Sequence, residues 1–424
     1  MAESCTHSSG LDFEAPPRHP IGHTRPCAEV PPKDQLRVSA PPIYLDGFAT
    51  QPLAPEARDA MFAAWSLPGN GGSPNQAGER AARIIAEGRS AVAEVIGAAP
   101  SEIIFTSGAT EANNLALLGI TAKAPPDRRR VIVSAIEHKS VLEPARILSA
   151  RGFDVVVAPV DTHGRLDLAR FEALCAEGLF LASLMMANNE TGVIQPVAEA
   201  AAIAHGRGGL FHSDAAQAFG KVAIDVMGLD IDYVSLSAHK CYGPMGVGAL
   251  FVAATAPQPS PLVFGGGQQG GLRPGTEPVA LIAGFGAAAR VAVERRLSDE
   301  AHADSVVMAL LRGLADRQLR FRRVTGGYDV VPGSAAISFD GIDADALCLA
   351  VAHEVSISTG SACNSGQLMT SHVLDAIGFS KQDARTVVRF LCGRYTSIPD
   401  VTAAAGYIAA AAVGSRLATG EVRQ

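Results

Sequence analysis

Glu102-Ile103-Ile104-Phe105-Thr106-Ser107-Gly108-Ala109-Thr110-Glu111 is an apolar run that stops at small hydroxyl and glycine residues and passes into a helical pattern at Glu111–Gly119. A short buried run, a tight turn and a 3.6-period stretch make a strand–turn–helix unit. The same texture recurs outward from it. Glu102–Phe105, Val131–Ser134, Asp154–Ala158, Leu179–Met186, Leu210–His212 and Tyr233–Leu236 read as buried strands, with helical patterns such as Val197–His205 between most of them. Strands that alternate with helices predict an α/β fold, its mostly parallel sheet covered by helices on both faces.

The chain has 424 residues, enough for two or three domains or one large fold with a smaller companion. Its 48% hydrophobic and 18% charged residues supply a large core and exclude wholesale disorder. The net charge of −7 disfavours a nucleic-acid binder, which needs a basic face. Cys5, Cys27, Cys175, Cys241, Cys348, Cys363 and Cys392 are odd in number and form no CxxC pair. A disulfide framework or metal site is therefore not expected, and a reducing, cytoplasmic setting fits. The longest apolar run, Leu179–Ala187, falls far short of the ~20 residues a membrane span needs. Residues 1–40 are Pro-rich, without apolar period or signal-peptide core, and read as a flexible extension. The basic turn Pro125–Arg130 reads as a solvated loop.

In open α/β sheets, ligands bind beyond the carboxyl ends of the strands. Those ends here carry Thr106-Ser107-Gly108-Ala109-Thr110, Glu137-His138, Asn188-Asn189-Glu190, Asp214-Ala215-Ala216-Gln217 and Ser237-Ala238-His239-Lys240. Singly, each has a bland meaning as a cap, a turn, a structural histidine or a surface lysine. Together they are the parts that hold pyridoxal phosphate. A helix N-terminus suits its phosphate, an imidazole its ring face, a carboxylate its pyridine nitrogen and a lysine its aldehyde.

These residues resemble the cysteine desulfurases of the NifS/IscS group, class V members of the fold-type I pyridoxal-phosphate enzymes. The blocks that carry the resemblance are FTSGATEANNLA (105–116), EHKSVL (137–142), NNETGVIQP (188–196), HSDAAQAFGK (212–221), SAHKCYGPMGVGAL (237–250), GGGQQGGLRPGT (265–276), STGSACNSG (358–366) and VRFLCGRYT (388–396). The resemblance implies a large cofactor domain at 54–294, and a smaller α+β domain built from 41–53 and 295–424 that carries a catalytic cysteine loop. It also implies a homodimer.

By resemblance, Lys240 forms the Schiff base, Asp214 pairs with the pyridine nitrogen and Gln217 bonds the ring oxygen. His138 stacks on the ring and is a candidate proton shuttle for the substrate thiol. Ala109, Thr110, Ser237 and His239 belong to the phosphate cradle, and Thr276 reaches the phosphate of a neighbouring subunit. Asn189 lies between cofactor and substrate carboxylate, which Arg389 clamps. Cys363, in a small, polar, Gly-bearing stretch, takes sulfur from L-cysteine as a persulfide and leaves L-alanine. An acceptor protein, such as an iron–sulfur scaffold, would receive it. Cys175, Cys348, Cys241 and Cys392 read as packing residues.

The sequence departs from the group at Asp46-Gly47-Phe48-Ala49-Thr50-Gln51, at Gly69–Gly78, where Asn75 replaces a histidine, and at Gly270, where an arginine is usual. Competing readings are another class V enzyme, a selenocysteine lyase or an aminotransferase, and a non-catalytic scaffold that keeps the fold. An aminotransferase has no need of Cys363, and a scaffold has no need of Lys240.

Overall fold

The computed structural model describes residues 41–176, 178–360 and 371–418, with backbone alone from 413. The extension at 1–40 and Cys363 lie outside the described residues. From Pro42 onward the chain clusters as one unit.

After β1 (Ile43–Tyr44) and helices α1 (Pro55–Trp65) and α2 (Gln76–Val95) come strands β2 (Ile103–Thr106), β3 (Arg130–Ser134), β4 (Asp154–Ala158), β5 (Leu179–Ser183), β6 (Leu210–Asp214), β7 (Tyr233–Ser237) and β8 (Gly248–Val252). Helices α3 (Ala109–Thr121), α4 (Lys139–Ala150), α5 (Leu168–Cys175) and α6 (Val197–Gly206) connect them. The seven strands form one sheet in the order β2-β8-β7-β6-β5-β3-β4. Pairing is parallel from β7 to β4, and β8 runs antiparallel to both β2 and β7. The expected strands are present within a few residues. The antiparallel insertion of β8 is what the sequence reading lacked.

Central strands such as Leu179–Ser183 and Tyr233–Ser237 are buried throughout. Their branched and aromatic side chains fill the space between sheet and helices on both faces. The strand order reverses at β3, whose neighbours are β4 and β5. The turns after β3 and β5 therefore leave a crevice, and His138 and Asn189 stand there.

The basic turn at 125–130 is not simply solvated. Arg128 donates to the carbonyls of Leu179 and Gly208, Arg129 covers the Phe153 ring at 4.1 Å, and Arg130 pairs with Asp154 at 2.7 Å. The guanidinium groups tie the amino ends of the strands together where backbone carbonyls lack ladder partners.

Helix α7 (Val279–Asp316) follows, then β9 (Phe321–Arg323), β10 (Ser334–Phe339), α8 (Ala344–Ala350), β11 (Val355–Ser356), α9 (His372–Ala376), α10 (Lys381–Ala384), β12 (Val387–Leu391) and α11 (Ile398–Ala418). β12-β10-β9 form an antiparallel sheet, and β1 pairs with β11. Ile282, Phe285, Ala289 and Ala292 of α7 join the core of the large sheet, whereas Val306, Leu310 and Leu314 join a second core with Ile337, Phe390 and Ile408.

Candidate active site

The turn after β2 is shaped by glycine. Gly108, with φ at +153°, precedes α3, and Gly248 lies opposite both Thr106 and Ser237 in the sheet register. A Cβ on Gly248 would come 2.4 Å from the Leu236 carbonyl and 2.6 Å from Gly108 Cα. Only glycine lets β8 pass between the two strand ends that bear the expected phosphate ligands. Glu111 fixes the turn from within the helix: Oε2 accepts from Ser107 N at 2.6 Å, and Oε1 meets Arg273 at 3.0 Å.

A cavity of about 690 Å³ opens above these strand ends. Ala109, Thr110, His138, Asn189, Asp214, Gln217, Ser237, His239, Lys240 and Arg389 all line it. Lys240 Nζ donates to the carbonyls of Phe48 and Ala49. Its own carbonyl accepts from Lys221 Nζ at 2.6 Å, so the turn that carries it is braced from behind. Asp214 is 5% exposed, with Oδ1 accepting from Ala216 N at 2.9 Å and Oδ2 from Asn113 Nδ2 at 2.7 Å. His239 Nδ1 lies 3.0 Å from Thr50 Oγ1, and burial pushes this imidazole down to about 4, so the ring is neutral.

Arg389 reaches the cavity from β12. It is 4% exposed, donates to the Asn189 carbonyl at 3.2 Å and lies 3.8 Å from Asp46, while its Nε has no partner. A buried, partly unsatisfied guanidinium is set to receive a carboxylate. Gln217 Oε1 is likewise buried without a partner. These orphaned polar atoms, the glycine-shaped turn before α3 and the Asp214 carboxylate fit pyridoxal phosphate. Lys240 would hold its aldehyde, the turn and Ser237 its phosphate, Asp214 its pyridine nitrogen and Gln217 its ring oxygen.

Known proteins match most of the chain. Residues 43–403 match the family described as aminotransferase class-V. The chain belongs to that family.

Within it, the chain is 38% identical over 377 residues to the cysteine desulfurase IscS of Rickettsia rickettsii, covering 88% of this chain and 92% of the relative. Identity to the mitochondrial cysteine desulfurase of Eremothecium gossypii is 41% over 364 residues, 85% of this chain and 74% of that one. A solved NifS-like protein superposes with a TM-score of 0.81 at 33% identity, over 87% of this chain and 98% of that chain. The chain is a pyridoxal-phosphate-dependent cysteine desulfurase with the fold-type I architecture.

Thr276 of this desulfurase is exposed and off the cavity wall. Cys363 lies among residues 361–370, outside the described residues. The chain leading to it is placed: Ser358 lines the cavity, and Arg389 N donates to its carbonyl at 2.9 Å. On the far side Ser371 Oγ donates to the buried Glu190 at 2.5 Å, and burial raises that carboxyl to about 7. The described cysteines are poor nucleophiles. Burial pushes the thiols of Cys175 and Cys241 up to about 11, and those of Cys348 and Cys392 to about 12.

Two departures from the group have local explanations. Asn75 caps α2, its side chain accepting from Gly78 N at 2.9 Å. Gly270 has φ at +66° beside Gln269 at +52°, a left-handed pair in which an arginine would be strained. Gln51 is buried, with Nε2 donating to the Gly47 carbonyl at 3.4 Å.

Sequence reasoning gave no individual role to Asn113, Ser140, Glu137 and Lys221. Asn113 is fully buried in α3. Its signal was a polar residue inside the apolar pattern Ala112–Leu117, which reads as a helix face unless its partner is known.

Proposed function

We propose that this desulfurase forms its persulfide on Cys363 and hands the sulfur to an acceptor protein. The chain's own residues divide the reaction among them. Arg389 and Asn189 orient the carboxylate of L-cysteine. Lys240, released from its covalent task, takes the Cα proton. Asp214 keeps the pyridine nitrogen protonated, and His138 stacks on the ring. Pyridoxal phosphate, when bound, supplies the electron sink for the charge that develops at Cα. The Cys363 thiolate then takes the substrate sulfur, so that L-cysteine and one thiol become L-alanine and one persulfide.

The observation that carries this reading is the convergence of Lys240, Asp214, His138 and Arg389 on one cavity, with Ser358 on its wall close upstream of Cys363. The unreactive setting of the other described cysteines supports Cys363 as the sulfur carrier. We read 54–294 as the cofactor-binding domain, and 41–53 with 295–424 as the smaller domain. The two separate cores that share α7 support this division. A homodimer, with Thr276 reaching the partner's phosphate, is supported by the exposed apolar strip Leu262-Val263-Phe264 just before the glycine-rich loop.

Among the described residues no helix is long and apolar enough to cross a membrane. A cytoplasmic location is our reading, and the curated relatives include a mitochondrial enzyme. An iron–sulfur scaffold is the first candidate acceptor; no nucleic-acid contact is proposed. The test is incubation of the cofactor-loaded protein with L-cysteine, with and without a 2-oxo acid. Stoichiometric alanine and sulfane sulfur, independent of the 2-oxo acid, are expected. Alanine or other amino acid formed only with the 2-oxo acid would mark an aminotransferase instead.

A further inference from the structure

A chain of buried hydrogen bonds joins Asp214 to His138. Asp214 Oδ2 accepts from Asn113 Nδ2 at 2.7 Å, and the second proton of that amide goes to Ser140 Oγ at 2.8 Å. Ser140 Oγ lies 2.7 Å from His138 Nδ1, and Ser140 N donates to the same nitrogen at 3.2 Å. Asn113 is fully buried, and Ser140 is 7% exposed where it lines the cavity.

Donor counting fixes the direction of each bond. A carboxylate only accepts, so the Asn113 amide must turn its nitrogen to Asp214. Both Nδ2 protons are then committed, which makes Ser140 Oγ an acceptor with its own proton to give. The nearest acceptor for it is His138 Nδ1. That nitrogen also caps α4 by accepting from Ser140 N, a place where a ring N–H would face a backbone N–H. Nδ1 is therefore bare, and the ring proton is on Nε2, for which no partner occurs among the described residues.

We propose that Asn113 and Ser140 are positioning residues that hold His138 as the Nε2–H tautomer and join its ring to the Asp214 carboxylate, so that His138 acts in the cavity as a hydrogen-bond donor. This rests on the desulfurase reading and sharpens it. Taking a thiol proton at Nε2 would first require the ring proton to move to Nδ1, where two donors already point. The surrounding charges agree: Lys240, Lys139 and His372 oppose a second ring proton, against the attraction of Asp214, and burial opposes it most. The arrangement resembles the general case of a neutral imidazole kept as an electrophile by a helix N-terminus.

The test uses the full-length, cofactor-loaded protein with nitrogen-15 in its histidine rings, beside Ser140→Ala, Ser140→Thr and Asn113→Leu. His138→Asn assigns the resonances. The wild type should show a protonated Nε2 and a bare, hydrogen-bonded Nδ1. Ser140→Ala should mix the tautomers and lower kcat for L-cysteine about tenfold at unchanged KM. Ser140→Thr should restore both. If Asn113→Leu does not fold, the Ser140 pair decides. A protonated Nδ1 in the wild type overturns the proposal, as does a Ser140→Ala protein with the wild-type tautomer or the wild-type kcat. A wild type that releases no alanine counts against the desulfurase reading and leaves the tautomer result standing, since the resonances are read without substrate.

Discussion

Glu137 precedes His138 and is fully buried, with Oε1 accepting from Ser134 Oγ at 2.6 Å and Met185 N at 2.7 Å while Oε2 has no partner. Burial pushes this carboxyl up to about 8, helped by the nearby Asp214 charge. The folded protein thus holds a proton that the unfolded chain has released above its ordinary value of 4.5. The stabilisation is complete below that value and is lost as pH rises through about 8. Glu137→Gln keeps an acceptor for both donors and removes the titration. Its urea midpoint should therefore gain on the wild type between pH 5 and pH 8; parallel midpoints would show Glu137 ionised in the fold. Glu137→Ala, which strands both donors, should cost about 1–3 kcal/mol at pH 6. At the cavity itself, Lys240→Ala should abolish the visible band of bound cofactor and cut alanine release about 10²–10⁴-fold. A retained band would place the cofactor's anchor elsewhere.

At the scale of elements, β8 is the wedge that shapes the turn after β2, the proposed phosphate cradle. Gly248→Ala would force apart β8, the Leu236 carbonyl and Gly108, at about 1–3 kcal/mol. Because the displaced atoms belong to the turn, cofactor affinity should fall at least about tenfold, read by titrating pyridoxal phosphate into cofactor-free protein. Unchanged affinity would remove Gly248 from the account. A surface element offers a contrasting test. His205, at the end of α6, is bonded by Asp232 at 2.8 Å and Asp230 at 2.9 Å, which raise its pKa despite its burial. Its stabilisation is full below its ordinary 6.5 and fades as pH climbs through the raised value. His205→Gln should lose no more than about 1 kcal/mol at pH 6 and less at pH 9, as partly exposed pairs do; an equal loss at both would mean packing, not charge. The strands with polar residues at their carboxyl ends were legible because apolar runs stop where backbone must meet a ligand. The direction of β8 was not, since Gly248–Val252 is a continuous buried run that either pairing accepts. Nor was the unbroken course of α7, because Glu294-Arg295-Arg296 looks like a boundary and is in fact a solvated helical face joined to Asp299 and Glu300 by turn-spaced ion pairs.

For the whole molecule, the site was more legible than its support. The residues read as meeting cofactor or substrate sit in short motifs at successive strand ends, and together these motifs have one chemical meaning. Asn113, Ser140 and Glu137 also make contacts between segments distant in sequence, Asn113 with Asp214 and Ser140, and Glu137 with Met185, which the local pattern does not show. The same holds for the two cores that meet along α7, one behind Lys240 and one behind Arg389. Chemistry needs both, with Cys363 carried on the segment that follows Ser358. Peptide mapping by mass spectrometry, after one turnover of the cofactor-loaded protein with L-cysteine, tests that account most directly. It predicts one added sulfur atom on the Cys363 peptide, lost on reduction, and no alanine or added sulfur from Cys363→Ala. Added sulfur on another cysteine, or alanine released at the wild-type rate by Cys363→Ala, would contradict it.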